Sequence, residues 1–311
     1  MPYLRGWKTD TTGAALRILI ETIVALFLAA AAAAQPAGSA YLGKPRPHGV
    51  PGRVVSLAPN LTEIVFAIGA GERLVGVTRF DDYPEQVKKL PRVGGFVDPS
   101  VEGIMALEPQ LVICVPNPGG RDRLDVITRL GVPVLVLPSY TLDNIYGAIE
   151  RLGVVFEKEE GARKLVAKMR ARIAGIRTRV AGRPRPRVIL VYGHRPLVVA
   201  GRGSFADTLL TIAGGQNLLG DSRVRYPSVP IEALIKLAPD VIIDASSGGK
   251  DAEMSTSEVR RGWSRWKVVP AVKNGRVHAL NSSLFFRPGP RIVDGLARLS
   301  RILHPEPTAD R

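Results

Sequence analysis

Glu102 and Glu232 open two segments that echo one another. Glu102-Gly103-Ile104-Met105-Ala106-Leu107-Glu108-Pro109-Gln110-Leu111-Val112-Ile113 and Glu232-Ala233-Leu234-Ile235-Lys236-Leu237-Ala238-Pro239-Asp240-Val241-Ile242-Ile243 run in step at an offset of 130 residues. Each reads as a short helix, a proline and a buried strand, so the two halves of the chain follow one design. A carboxylate in a first helical turn gains about 0.3–1 kcal/mol from the helix dipole, which alone would account for either glutamate. Two carboxylates in matched places also suit a pair of acidic studs that dock into basic pockets on a partner. Carboxylate–arginine pairing would then set the orientation of the complex.

Chemistry on a substrate finds little support. Cys114 is the single cysteine. It closes the apolar run Leu111-Val112-Ile113 and reads as a buried structural thiol. The four histidines are scattered and give no metal-ligand spacing. The chain has no Gly-x-Ser-x-Gly elbow, no Walker loop and no His-Glu-x-x-His pattern. Gly201-Arg202-Gly203 lacks the third glycine of a dinucleotide fingerprint. The expectation is a protein that is not an enzyme, with no resident metal or cofactor.

The elements that must position these residues alternate. Short β-rich runs at Arg53–Leu57, Leu74–Val77, Leu111–Val115 and Val132–Leu137 are separated by helical patterns. That rhythm predicts an α/β fold with a mostly parallel sheet covered by helices. Asn60 with Glu63 three residues on predicts a capped helix start. Residues 157–181 break the rhythm as one long helix, with Leu165, Met169, Ile176 and Val180 along one stripe. Alternation then resumes with a strand at Arg187–Tyr192, a helix at Phe205–Ala213 entered by Ser204 and Asp207, and a closing helix at Arg291–Leu303.

Composition bounds the setting. With 311 residues and 45% apolar content, two packed lobes are affordable. The net charge of +15 raises nucleic acid or anionic lipid as partners. No nucleic-acid motif accompanies it, and the dense basic stretch from Lys158 to Arg187 reads as a solvated helix face. At the N-terminus, Arg5, Lys8 and Arg17 precede an apolar run from Ile18 to Ala34 and a small-residue segment up to Ala40. This predicts an export signal over residues 1–40, cut after Ala34 or Ala40, with an uncleaved anchor as the rival reading. No cysteine lies there to carry a lipid.

At this point the chain resembles a known family. Its markers are Arg53-Val54-Val55-Ser56-Leu57-Ala58-Pro59 with Thr62-Glu63, and Val75-Gly76-Val77 with Asp82-Tyr83-Pro84. Gly214-Gly215-Gln216-Asn217 with Asp221-Ser222-Arg223, and Arg287-Pro288-Gly289-Pro290-Arg291, complete the series. In that order they resemble the periplasmic binding proteins of cobalamin and iron-siderophore ABC importers, and within them the cobalamin branch. The likeness runs from about Arg53 to Pro305.

The resemblance implies two Rossmann-like lobes joined by a single long helix, the class III arrangement with a helical backbone and small opening motions. The implied layout is a signal at 1–40, a linker at 41–52, an N-terminal lobe at 53–155, a connecting helix at 156–183, a C-terminal lobe at 184–305 and a tail at 306–311. It implies ligand contacts from Pro59, Asn60 and Leu61 on the first strand-to-helix loop. Further contacts would come from the aromatic rings of Phe80, Phe96 and Tyr226 and from polar Arg287. Flat rings cover a macrocycle's apolar faces at small entropy cost. The resemblance also implies that Glu102 and Glu232 dock on a permease. The protein would be a periplasmic monomer carrying cobalamin or a related corrinoid, with ferric siderophore or haem as alternatives. Val115 and Leu284 stand where cobalamin binders carry tryptophans, and the asparagine of the first loop is displaced by one residue. For haem, Tyr192 and His194 would be the axial candidates.

Overall fold

A computed structural model describes residues 39–43, 49–116, 121–246, 255–280 and 287–306. Ala40–Leu42 form β1 and Val54–Ser56 form β2, followed by α1 over Pro59–Ala67 and β3 over Leu74–Gly76. Next come α2 (Val101–Met105), β4 (Leu111–Cys114), α3 (Arg121–Arg129) and β5 (Val134–Val136). The first sheet runs in the order β1-β5-β4-β2-β3. Its strands are parallel except β1, which pairs antiparallel with β5 through Ala40↔Val136 and Leu42↔Val134. Ala40–Leu42 were expected in a signal and a linker. They instead cap one edge of the sheet, because β5 would otherwise present an open row of backbone groups there. Residues 1–38 of the expected signal lie outside the described residues.

Two helices then run back to back, α4 over Leu142–Phe156 and α5 over Glu159–Val180. The second lobe follows as β6 (Arg187–His194), β7 (Leu197–Val199), α6 (Phe205–Ile212), β8 (Gln216–Asn217) and α7 (Ile231–Leu237). It closes with β9 (Val241–Asp244), α8 (Thr256–Trp263), α9 (Pro270–Lys273), β10 (Val277–Ala279) and α10 (Ile292–Leu303). Its sheet is ordered β10-β9-β6-β7, with β8 also on β6. Parallel strands are buried on both faces, which is why Val188–Val191 and Val241–Asp244 are wholly apolar up to their last residue.

The long helix is common property of both lobes. Its buried stripe is Ala162, Val166, Met169, Ile173, Ile176 and Val180, so Met169, Ile176 and Val180 lie on it as expected and Leu165, half-buried, flanks it. One continuous apolar cluster takes in Leu61 and Ile149 of the first lobe, Met169 and Ile173 of α5, and Leu190 and Leu296 of the second. At 1.5 Å per residue the helix spans roughly 33 Å. Its N-terminal end lies so close to α1 that a Cβ on Gly161 would meet the Ile68 carbonyl oxygen at 2.7 Å. Likewise a Cβ on Gly153 of α4 would meet the Ala162 Cβ at 2.6 Å. At the far end, Val180 packs on Gly214 just beyond α6.

The repeat read from the sequence is physical. Glu108 and Ala238, 130 residues apart, both adopt left-handed backbone, with φ of 45° and 44°, before a proline. An arginine in each lobe closes the helix behind it. Arg53 donates to Leu107 O at 2.6 and 3.0 Å, and Arg187 donates to Leu237 O at 2.7 Å. Replacing Gly153 by Val is expected to force α4 off α5 and lower unfolding free energy by about 1–3 kcal/mol. Urea denaturation followed by circular dichroism reads it; an unchanged midpoint would show that the two helices have room to spare.

Candidate functional site

The loops that follow the parallel strands of the two lobes meet at a seam, and five residues of the second lobe make most of it. Arg287-Pro288-Gly289-Pro290-Arg291 reaches across to α1 and to the loop after β3. Arg291 donates through Nε to Glu63 Oε2 at 2.9 Å and also contacts Oε1, while its guanidinium lies 4.2 Å from the Tyr83 ring centroid. Burial pushes the Glu63 carboxyl up, and the Arg291 pairing opposes this. Removing one partner of such a pair leaves a buried charge unanswered, so this contact fixes the seam. Arg287 donates to Asp82 Oδ2 at 3.0 Å, contacts Asp82 Oδ1, and donates to Phe80 O at 2.8 Å. Asn60 Nδ2 donates to Ser139 Oγ at 3.0 Å and to Pro288 O at 3.3 Å. Gly289 lies flat on Asn60, where a Cβ would be 3.3 Å from its backbone oxygen.

Three expectations for the first loop change here. Pro59 takes N1 of α1, and Ala58 is the cap residue without a side-chain bond. Asn60 and Glu63 are therefore no capping pair; both side chains serve the seam, with partners 228 residues away. Leu61 is fully buried in the shared core and is removed from the ligand contacts.

Phe80 and Tyr226 do present their rings. Phe80 is 39% exposed and Tyr226 47%. The Phe80 ring sits under the Arg79 guanidinium at 4.9 Å. Arg79 is in turn held by both oxygens of Asp98 at 2.8 and 3.0 Å. Asp98 belongs to the same short turn as Phe96, which is half-buried, so the structure brings these two aromatic positions together. Behind Phe80, Asp81 is buried, accepts from Thr78 N at 3.0 Å, and has its carboxyl pushed up by burial. In the second lobe, Gly201 N donates to Arg225 O at 2.8 Å and Val199 N to Pro227 O at 3.0 Å. These bonds pin both neighbours of Tyr226. Its ring meets Tyr192 edge-on at 5.2 Å. Val115 is half-buried against the core, and Leu284 lies outside the described residues.

A polar cluster that the sequence reading did not assemble ends strands β6 and β9. Asp244 is buried and accepts from Trp263 Nε1 at 2.7 Å, from Ser246 N at 3.0 Å and from His194 Nε2 at 2.8 Å. Burial alone would raise the Asp244 carboxyl, but the bonds from His194, Ser246 and Trp263 outweigh it and hold it low. The Asp244 bond raises the His194 imidazole above its ordinary value, against partial burial and the nearby Arg265. Burial pushes the Tyr192 phenol well up, so it stays protonated. A lone Asp at the end of an apolar strand was the available signal.

Glu102 and Glu232 sit in the first turns of α2 and α7, both exposed and without an ion pair among the described residues. They share the repeated left-handed turn six residues on and are presented alike.

The geometry is that of two lobes on one shared helix, with the rings of Phe80 and Tyr226 exposed. The periplasmic binding protein family matches residues 54–284. The chain belongs to that family. It is 31% identical over 252 residues to the vitamin B12-binding protein of Vibrio cholerae, covering 81% of this chain and 88% of that one. It is similar to the crystal structure of the periplasmic vitamin B12 binding protein BtuF of Vibrio cholerae, with a TM-score of 0.70 and 30% identity over 81% of this chain and 96% of that chain. It is also similar to the periplasmic heme-binding protein RhuT of Roseiflexus sp. RS-1, with a TM-score of 0.71 and 29% identity over 82% and 98% of the two chains. The chain is a solute-binding protein of this family and not an enzyme, with the expected two-lobe fold on a helical backbone.

The His194–Asp244 pair carries a pH dependence. A raised imidazole value means stabilisation that is fully present below about pH 6.5 and is lost as pH rises through the folded value. Thermal unfolding of wild type and of His194→Gln, compared across that range, is expected to differ by this loss, with the shallower fall in the variant. A slope unchanged in His194→Gln would assign it to another group.

Proposed function

We propose that the protein captures a corrinoid, cobalamin or a near relative, at the seam between its lobes in the periplasm and delivers it to the permease of an ABC importer. The likeness to vitamin B12-binding proteins along four-fifths of the chain carries this reading. The site supports it. Phe80 and Tyr226 offer flat apolar surface from two lobes, and Arg287 is already matched to a carboxylate. Such a lining suits a large, nearly neutral macrocycle.

Haem is the second reading, favoured by the likeness to RhuT and by His194. Asp244 holds Nε2 and fixes the ring, and Nδ1 has no hydrogen bond among the described residues. Tyr192, kept protonated by burial, is the poorer axial group.

Calorimetric titration with cyanocobalamin, haem and a ferric siderophore separates these. The expected outcome is saturable one-to-one binding of cyanocobalamin alone, weakened about tenfold by Phe80→Ala and by Tyr226→Ala. Haem or siderophore binding without cyanocobalamin would move the protein to the iron chelates. For delivery, replacing Glu102 and Glu232 by Ala is expected to leave that titration unchanged. The same change is expected to weaken association with the reconstituted permease by at least about tenfold. Lost ligand affinity instead would take both glutamates out of the docking role.

A further inference from the structure

The chain carries a net charge of +15, yet the guanidiniums around the Phe80 loop are all occupied. Arg79 is held by Asp98, Arg92 by the carbonyls of Thr78 and Asp81, and Arg291 by Glu63. Arg287 is held by Asp82 and by Phe80 O. Much of the positive excess lies elsewhere, as on the outer face of α5, where Arg163, Lys168, Arg177 and Arg179 are exposed. Residues 281–286, which lead into Arg287, include no basic side chain. Around the Phe80 loop, then, three of these four guanidiniums face a carboxylate and the fourth, Arg92, is bound by backbone carbonyls.

The Arg287–Asp82 pair differs from its neighbour. Glu63 is 2% exposed under Arg291, whereas Asp82 is 58% exposed while Arg287 is 19% exposed. The inner pair locks the seam. In the outer pair, the acid faces solvent and the guanidinium faces the loop that carries Phe80. Its two terminal nitrogens form a fork of the geometry that grips a carboxylate. With Asp82 in that fork, an acid group on an incoming ligand meets a filled site and a like charge beside it.

We propose that Asp82 is a specificity residue that selects ligand charge, filling the Arg287 fork from the opposite lobe and thereby turning away chelates with carboxylates on their rim. The proposal rests on the reading of the seam as the ligand site and sharpens it: the favoured solute carries amides, not acids, where it meets Arg287. Asp82 acts on the ligand through Arg287 and does not itself need to touch it.

The test compares cyanocobalamin with its monocarboxylic acids, in which one peripheral amide has become a carboxylate, and with haem, whose propionates carry the charge. Each is titrated calorimetrically into wild type, Asp82→Asn, Arg287→Gln and the double variant. Asp82→Asn is expected to strengthen binding of at least one monocarboxylic acid, and of haem, by about tenfold relative to cyanocobalamin. The gain is expected to vanish when Arg287→Gln is added, which separates it from the exposed Arg223 and Arg225 on the Tyr226 loop. An unchanged ratio in Asp82→Asn, or a gain that survives in the double variant, would overturn the proposal. If cyanocobalamin fails to bind wild type, the corrinoid reading falls, and haem alone decides: unchanged haem affinity in Asp82→Asn overturns the charge filter as well. Asp82 is exposed, and matched unfolding midpoints confirm that the variants compare folded proteins.

Discussion

One helix belongs to both halves of this protein, and most of the rest depends on it. Residues 159–180 bury a stripe that continues the first lobe's core into the second without a break. Each fully buried Val, Ile or Met contributes about 1.5–3 kcal/mol. Bending the back of the molecule would tear that stripe. Gly161 and Gly153 bring the backbones so close that the helix has no slack at its N-terminal end. The two sheets therefore keep a nearly fixed relation, set before any ligand arrives. Such preorganisation lowers the ordering cost of binding.

The contact between the strand-end loops of the two lobes is polar. There the lobes meet through side chains on one short strap, Arg287 to Arg291, rather than through packed core. The contacts are graded from the buried Glu63 to the exposed Asp82. The Phe80 loop is tied into the same strap through its carbonyl, so its aromatic surface and the lobe contact shift together.

Local pattern carried far in the sequence, and it failed where a partner lay far along the chain. Strand–helix alternation pointed to mostly parallel sheets, and both sheets are parallel but for β1 and β7; the spacing from Glu102 to Glu232 revealed a repeat that the backbone follows down to Glu108 and Ala238. Ser204 caps its helix as read, accepting from Asp207 N at 3.1 Å. Asn60 and Glu63 carry the same local signature as a cap but answer to Pro288 and Arg291. Pro59, suited to a first helical position, is the local sign that the first helix starts before Asn60. Ala40–Leu42 form a strand only because β5 lies beside them, which no reading of residues 40–42 by themselves could supply. Leu61 was carried over with its neighbours, although helix periodicity turns it to the interior one residue after Asn60.

The duplicated turn has a consequence for whatever grips this protein. Arg53 and Arg187 close equivalent helix ends, Glu108 and Ala238 bend the chain alike, and each lobe offers one free carboxylate in the same local frame. Two like features on one chain approximate a pseudo-dyad. A receptor that reads both must then display two like pockets about a matching axis, and a homodimer does this with a single gene. The chain would seat on such a dimer in either of two orientations, and only the differences between its lobes would choose between them.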